Sequence, residues 1–128
     1  MTAADTRPNM RQRLSRLVAP QQQVHAEAEH VTAVRLGGTP VVDLVPRHRA
    51  TVCGTLRSVI LRPRAGVPAL EAELYDGTGS LSLVWLGRRQ ITGIEPGRRI
   101  RVNGMVSEVN GQHLIYNPGY ELVPRARD

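Results

Sequence analysis

The sequence predicts an all-β core, a small five-stranded barrel carried behind an N-terminal helical extension. Two observations predict it. Between Arg49 and Val123 five short apolar runs are separated by turn chemistry, and several of them alternate apolar and polar residues with the period of a strand. Two of the separators, Asp76-Gly77 and Asn110-Gly111, are the pairs that most strongly signal a hairpin, because glycine supplies the positive φ a tight turn needs. The 128 residues make one domain's worth of chain. They divide into an extension and connector over residues 1–46, the barrel over 47–123 and a basic tail over 124–128.

In the extension, Met10, Leu14, Leu17 and Val18 fall at the spacing of an amphipathic helix until Pro20 interrupts it. A second helical stretch covers residues 21–35, rich in Ala, Gln and Glu, with Val24, Ala28 and Val31 as a thin apolar face and Gly37-Gly38 as a stop. That face makes it either a marginal helix or one that needs a partner. Residues 39–46 form a connector containing Val41-Val42.

The first strand spans residues 50–61, long enough to serve two halves of a barrel, with Gly54 as the place for a bend or bulge. Residues 62–68 hold two prolines and a glycine, so they form an exposed loop. The second strand, residues 69–75, puts Leu70, Ala72 and Leu74 on one face and Glu71, Glu73 and Tyr75 on the other. The third, residues 80–86, is so apolar that both its faces must be partly covered. Residues 91–94 allow at most one helical turn, and Glu95-Pro96-Gly97 turns the chain into a fourth strand over 98–109, with Ile100, Val102 and Val106 inward. The fifth strand, 113–116, breaks at Asn117-Pro118-Gly119 and resumes over 120–123.

Composition excludes several functions. All 17 basic residues are arginine, which removes the P-loop ATPases, the Schiff-base enzymes and the lysine-adenylating ligases, since each needs a lysine amine. Such usage partly reflects the coding bias of high-GC bacteria. The net charge of +6 is nevertheless unevenly placed: Arg47, Arg49, Arg57, Arg62 and Arg64 occupy 18 residues without an acid, and Arg88, Arg89, Arg98, Arg99 and Arg101 form a second cluster broken only by Glu95. A basic surface is the footprint of a nucleic-acid binder. The single cysteine, Cys53, lies in an apolar strand pattern and reads as a buried structural thiol. His25, His30, His48 and His113 are scattered, and no metal, cofactor or catalytic constellation is expected, hence no enzymatic activity. With no bilayer-length apolar run and no leader at Met1, the chain is expected in the cytoplasm.

Five strands with a long first strand, a hairpin between the second and third, and a short or missing helix before the fourth match the OB-fold, a partly open Greek-key barrel. The runs Arg49 to Leu56, Leu74 to Leu86 (Leu-Tyr-Asp-Gly-Thr-Gly-Ser-Leu-Ser-Leu-Val-Trp-Leu), Gly93 to Gly104 and Tyr116-Asn117-Pro118 closely resemble the nucleic-acid-binding OB family that includes the wedge domain of RecG-type helicases and some tRNA anticodon-binding domains. The chain has no motor domains of the helicase kind, so unwinding is not expected of it alone.

The resemblance implies single-stranded or junction nucleic acid, DNA or RNA, lying across the second and third strands between the loop after strand one and the loop joining strands four and five. Arg57, Arg62 and Arg64 lie where that family grips the backbone, and Arg88 and Arg89 leave the end of strand three; each could neutralise one phosphate. Tyr75 is either a stacking platform or an ordinary half-exposed strand tyrosine, and Tyr116 could serve either way. Trp85 shares the parity of Leu81 and Leu83 and belongs in the core. Glu71 and Glu73 share the face of Tyr75 and should repel a passing backbone, whereas Arg99 and Arg101 read as a solvated face. A competing class is a protein-interaction module, with the barrel face or residues 8–36 docking a protein partner or a second copy.

Overall fold

In the computed structural model, which describes residues 20–35 and 37–124, six strands build one sheet that closes on itself. They are β1 (Arg49–Leu61), β2 (Ala69–Tyr75), β3 (Ser80–Leu86), β4 (Arg99–Val109), β5 (Gln112–Tyr116) and β6 (Gly119–Leu122). β2 and β3 occupy the ranges expected of them, and the others differ by a residue or two at their ends. The amphipathic stretch over residues 8–19 and the tail beyond residue 124 lie outside the described residues.

The length of β1 explains the closure. Its first half pairs antiparallel with β4 (Arg49↔Met105 to Thr55↔Arg99) and its second half with β2 (Thr55↔Tyr75 to Leu61↔Leu70). β2 pairs β3 antiparallel, β3 meets β5 in a short parallel contact (Ser82↔Leu114, Val84↔Tyr116), and β5 returns along β4. β6 continues the same ladder on β4 with the register moved by one residue, from Val106↔Ile115 to Ile100↔Leu122. The interruption is pinned to β3: the Asn117 amide donates to the Val84 carbonyl at 2.6 Å, the Asn117 Oδ1 accepts from the Leu86 amide, and Trp85 Nε1 donates to the Pro118 carbonyl at 3.1 Å.

The interior follows strand parity. Val52, Leu56, Leu74, Leu81, Leu83, Ile100, Val102 and Ile115 are sealed from solvent, each contributing about 1.5–3 kcal/mol by burial. Val41 and Leu44 join this core from a short 3-10 turn at Val41–Asp43, and Ile91 and Ile94 join it from the segment before β4, which is a hydrogen-bonded turn. Trp85 is buried with them, as its parity requires. The expected double covering of β3 is present too: Val84, of opposite parity, is buried with Ala69 and Leu114 in a second, smaller cluster.

Two turns differ in mechanism. Asn110 and Gly111 both adopt positive φ (53° and 79°), the two-residue hairpin conformation that their side chains favour. The Asp76-Gly77 turn is longer and is organised by a buried carboxylate. Asp76 Oδ1 accepts from the Thr78 amide (2.9 Å), the Thr78 hydroxyl (2.7 Å) and the Gly79 amide (3.1 Å), while Oδ2 accepts from the Val41 amide at 2.8 Å. One side chain thus shapes the hairpin and fastens the connector to it.

The bulge in β1 falls at Arg57, between the Leu56↔Leu74 and Ser58↔Glu73 pairs, three residues beyond Gly54. Gly54 instead packs where a Cβ would lie 2.5 Å from the Tyr75 carbonyl oxygen.

The one α-helix among the described residues, α1 (Pro20–Arg35), docks on the sheet by a face other than its thin apolar one. Val24 and Val31 are 61% and 51% exposed. Ala26, Glu29 and His30 turn inward instead, against the β2–β3 turn and β1. Gly77 makes this approach possible, because a Cβ there would sit 2.1 Å from the Ala26 carbonyl oxygen. Glu29 then supplies the anchor: its two carboxylate oxygens each accept from the Thr55 hydroxyl at 3.1 Å, and Arg99 Nη1 donates to Oε2 at 2.6 Å. Arg99 is therefore part of a helix-docking contact and not a solvated face. Its neighbour Arg101 lies 3.9 Å from Glu121 and is exposed.

Candidate nucleic-acid interface

The outer face of the β2–β3 hairpin is assembled by register. Residues directly opposite share a face, so Ile60, Glu71, Val84 and Tyr116 form one row, and Ser58, Glu73, Ser82 and Leu114 form the next. Thr55, Tyr75 and Ser80 form a third. Glu71 and Tyr75 are four residues apart on β2, about 14 Å. Between them a shallow depression of about 230 Å3 is lined by Ser58, Ile60, Glu71, Glu73, Ser82 and others.

At one end of this face stands Arg57. The bulge leaves both Arg57 and Ser58 facing outward, since Leu56 and Val59 on either side pack toward the core. The guanidinium carbon lies 3.4 Å from the centre of the Tyr75 ring, a cation–π stack at van der Waals distance. Tyr75 therefore offers a flat surface that is already covered on one side. Arg57 itself is exposed at this point, and guanidinium planes stack on bases as aromatic rings do.

At the other end the loop after β1 folds back on itself. Arg64 and Val67 exchange backbone hydrogen bonds at 2.8 and 2.9 Å, with Ala65 and Gly66 at positive φ. This turn brings two arginines onto Glu71. Arg64 donates to Glu71 Oε2 from Nη2, and from Nε at 3.1 Å, and Arg62 Nη1 lies 3.8 Å from Oε1. Arg64 also lies 5.9 Å from the Tyr116 ring centre. The hydrogen bond to Glu71 raises the Arg64 guanidinium above its ordinary value, outweighing the opposing effect of burial. The carboxylate is mostly covered, at 16% exposure, but the two arginine side chains are 40% and 64% exposed, so the cluster opens to solvent.

The parity that places Glu71 on the face of Tyr75 is readable from sequence, but its consequence differs from simple repulsion: Glu71 is paired with two of the cations expected to meet phosphate. Glu73 has no ion-pair partner among the described residues. Arg88 and Arg89 are exposed just beyond β3, where the Gly87 amide donates to the Pro68 carbonyl and so ties this exit to the arginine loop. Tyr116, 41% exposed, ends β5 on the same row as Glu71. Tyr120 instead meets Trp85 edge-on at 5.9 Å.

A closed sheet with this strand order, bearing arginines and tyrosines along one outer face, is similar to part of RecG. The solved structure is that of RecG bound to a three-way DNA junction, matched at a TM-score of 0.52 and 26% identity over 68% of this chain. The match covers 12% of the RecG chain, so most of RecG has no counterpart here. No protein-family model matches the chain, and no curated protein does. The likeness to part of RecG supports an OB-like fold.

Elsewhere the chemistry is sparse. Among the described residues no three His, Cys, Asp or Glu side chains gather as a metal site, and no helix is long and apolar enough to cross a membrane. Cys53 is buried against Gly38, and burial pushes its thiol above the ordinary value despite the lowering field of Arg101.

Proposed function

We propose that the closed sheet is a Greek-key OB barrel, that it occupies residues 47–123, and that it is a non-enzymatic module binding single-stranded or junction nucleic acid across β2 and β3. The observation that carries this reading is the placement of Arg57 on Tyr75 and of Arg64 near Tyr116, with Arg62 on the same loop, at the two ends of one sheet face, in a chain similar to part of a protein solved on a DNA junction. Arginines at both ends neutralise phosphates, with Arg88 and Arg89 extending the track, while the Arg57 plane and Tyr116 supply limited stacking. Contacts of this kind read the backbone and base planes, so sequence preference is modest.

The test is fluorescence anisotropy with labelled single-stranded DNA, single-stranded RNA and a forked duplex at two salt concentrations. Binding to at least one of them is expected, weakening with salt at a log–log slope of about 0.7 per phosphate neutralised on a single strand. A salt-independent signal, or none at low salt, removes the mechanism. Arg62→Ala with Arg64→Ala should weaken binding far more than Arg101→Ala.

A second reading rests on α1, whose Val24 and Val31 face solvent: this side of the helix docks a protein partner and makes the chain an adaptor. Replacing both valines with serine would abolish such capture and leave nucleic-acid binding intact.

A further inference from the structure

The geometry points to Glu71 as a built-in competitor for nucleic-acid phosphate, holding Arg62 and Arg64 until a strand displaces it. The inference rests on the nucleic-acid reading and deepens it by naming a residue that sets affinity. Glu71 projects from one end of the proposed contact face, on the row that ends at Tyr116, and its carboxylate accepts hydrogen bonds from Arg64 and forms a longer ion pair with Arg62, both on the loop after β1. A carboxylate and a phosphodiester present the same pair of acceptor oxygens to a guanidinium fork, so they compete for one set of donors. With the contact formed, two guanidinium charges and one carboxylate leave the cluster at a net +1; without the carboxylate it stands at +2.

Three details separate a displaceable competitor from a structural ion pair. The arginines are substantially exposed, so a phosphate can reach them without opening the core. The loop that carries them is joined to itself by the Arg64–Val67 backbone bridge and to Ala69 by the Arg62 amide, so its shape does not depend on Glu71 alone. Arg64 also sits within reach of the Tyr116 ring, so a strand entering the cluster meets a cation and an aromatic plane together. Glu73, two residues along the same face, has no arginine held against it. It repels a strand only through its field.

The difference between the two acids gives the test. Glu71→Gln, Glu73→Gln, and each combined with Arg62→Ala and Arg64→Ala, are compared with the unaltered chain for binding to labelled oligothymidylate across a salt series. Urea unfolding of every variant verifies that the fold is retained. Expected is an increase in affinity of about three- to tenfold for Glu71→Gln, with the salt slope steeper by about 0.7. The increase should vanish when Arg62 and Arg64 are alanine, while any smaller gain from Glu73→Gln should persist. Equal gains from the two glutamines, or a Glu71 gain that survives loss of the arginines, would overturn the inference in favour of plain repulsion. Weaker binding by Glu71→Gln would overturn it in the other direction, making Glu71 a residue that positions the arginines. If neither the unaltered chain nor Glu71→Gln binds at low salt, the nucleic-acid reading itself has failed, a result distinguishable from all of these.

Discussion

Glu29 and Glu71 both hold arginines, and their surroundings give them opposite roles. Glu29, 13% exposed, lies between helix and sheet, where Arg99 and Thr55 converge on it from β4 and β1. Glu71 is nearly as covered, at 16%, yet its partners come from an exposed loop. Coverage of the carboxylate alone does not distinguish them. What differs is whether the cation has anywhere else to go. Arg99 stands on a central strand and meets Glu29 of the docked helix at 33% exposure, whereas Arg62 and Arg64, at 64% and 40%, stand on a loop from which they can turn to another anion. The first pair acts as an anchor and the second as a latch.

Removing what fastens the covered side should cost most. Asp76→Ala deletes a buried acceptor of four hydrogen bonds and strands the amides of Val41, Thr78 and Gly79, so a loss of about 3 kcal/mol is expected in urea unfolding. Glu29→Ala should cost about 1–2 kcal/mol, with faster amide exchange in α1 and an undisturbed sheet. Glu71→Ala belongs to the exposed class and should change stability by less than about 0.5 kcal/mol. If Glu71→Ala proved as costly as Glu29→Ala, the distinction between anchor and latch would collapse.

The smallest effect concerns pH and belongs to the covered side. Because burial raises the folded thiol above its ordinary value, the stability it contributes is complete below about pH 8.5 and is lost as pH rises through the folded value. Urea midpoints at pH 8 and pH 10 should therefore differ more for the unaltered chain than for Cys53→Ala.

Strand positions were legible because period-two alternation states directly which residues face inward: Leu70, Ala72 and Leu74 of β2, and Ile100, Val102 and Val106 of β4, are buried as their parity demands. The gathering of the candidate site was legible only in part. Parity placed Glu71, Glu73 and Tyr75 on one face, but nothing along the chain says that residues 62–68 curl back to set Arg64 on Glu71, or that a bulge at Arg57 turns its guanidinium onto Tyr75. These depend on contacts between neighbouring strands and on loop shape. The docking of α1 was illegible for a related reason. Its apolar spacing pointed to Val24, Ala28 and Val31, whereas the contact that forms is polar and relies on the absent side chain of Gly77, a property of the partner surface.

The pairing of β4 has one more consequence. From Arg99 to Met105 it has β1 along one edge, and from Ile100 to Asn103 it has β6 along the other, so its middle is paired on both sides. The arginine loop hangs from the opposite end of β1, held by a hairpin whose outer residues are open to water. Amide protons in the centre of β4 should consequently outlast all others in deuterium, while those of Ala65 and Gly66 at the tip of the loop exchange within seconds. The part of the molecule proposed to rearrange around a ligand hangs from a foundation paired along both edges.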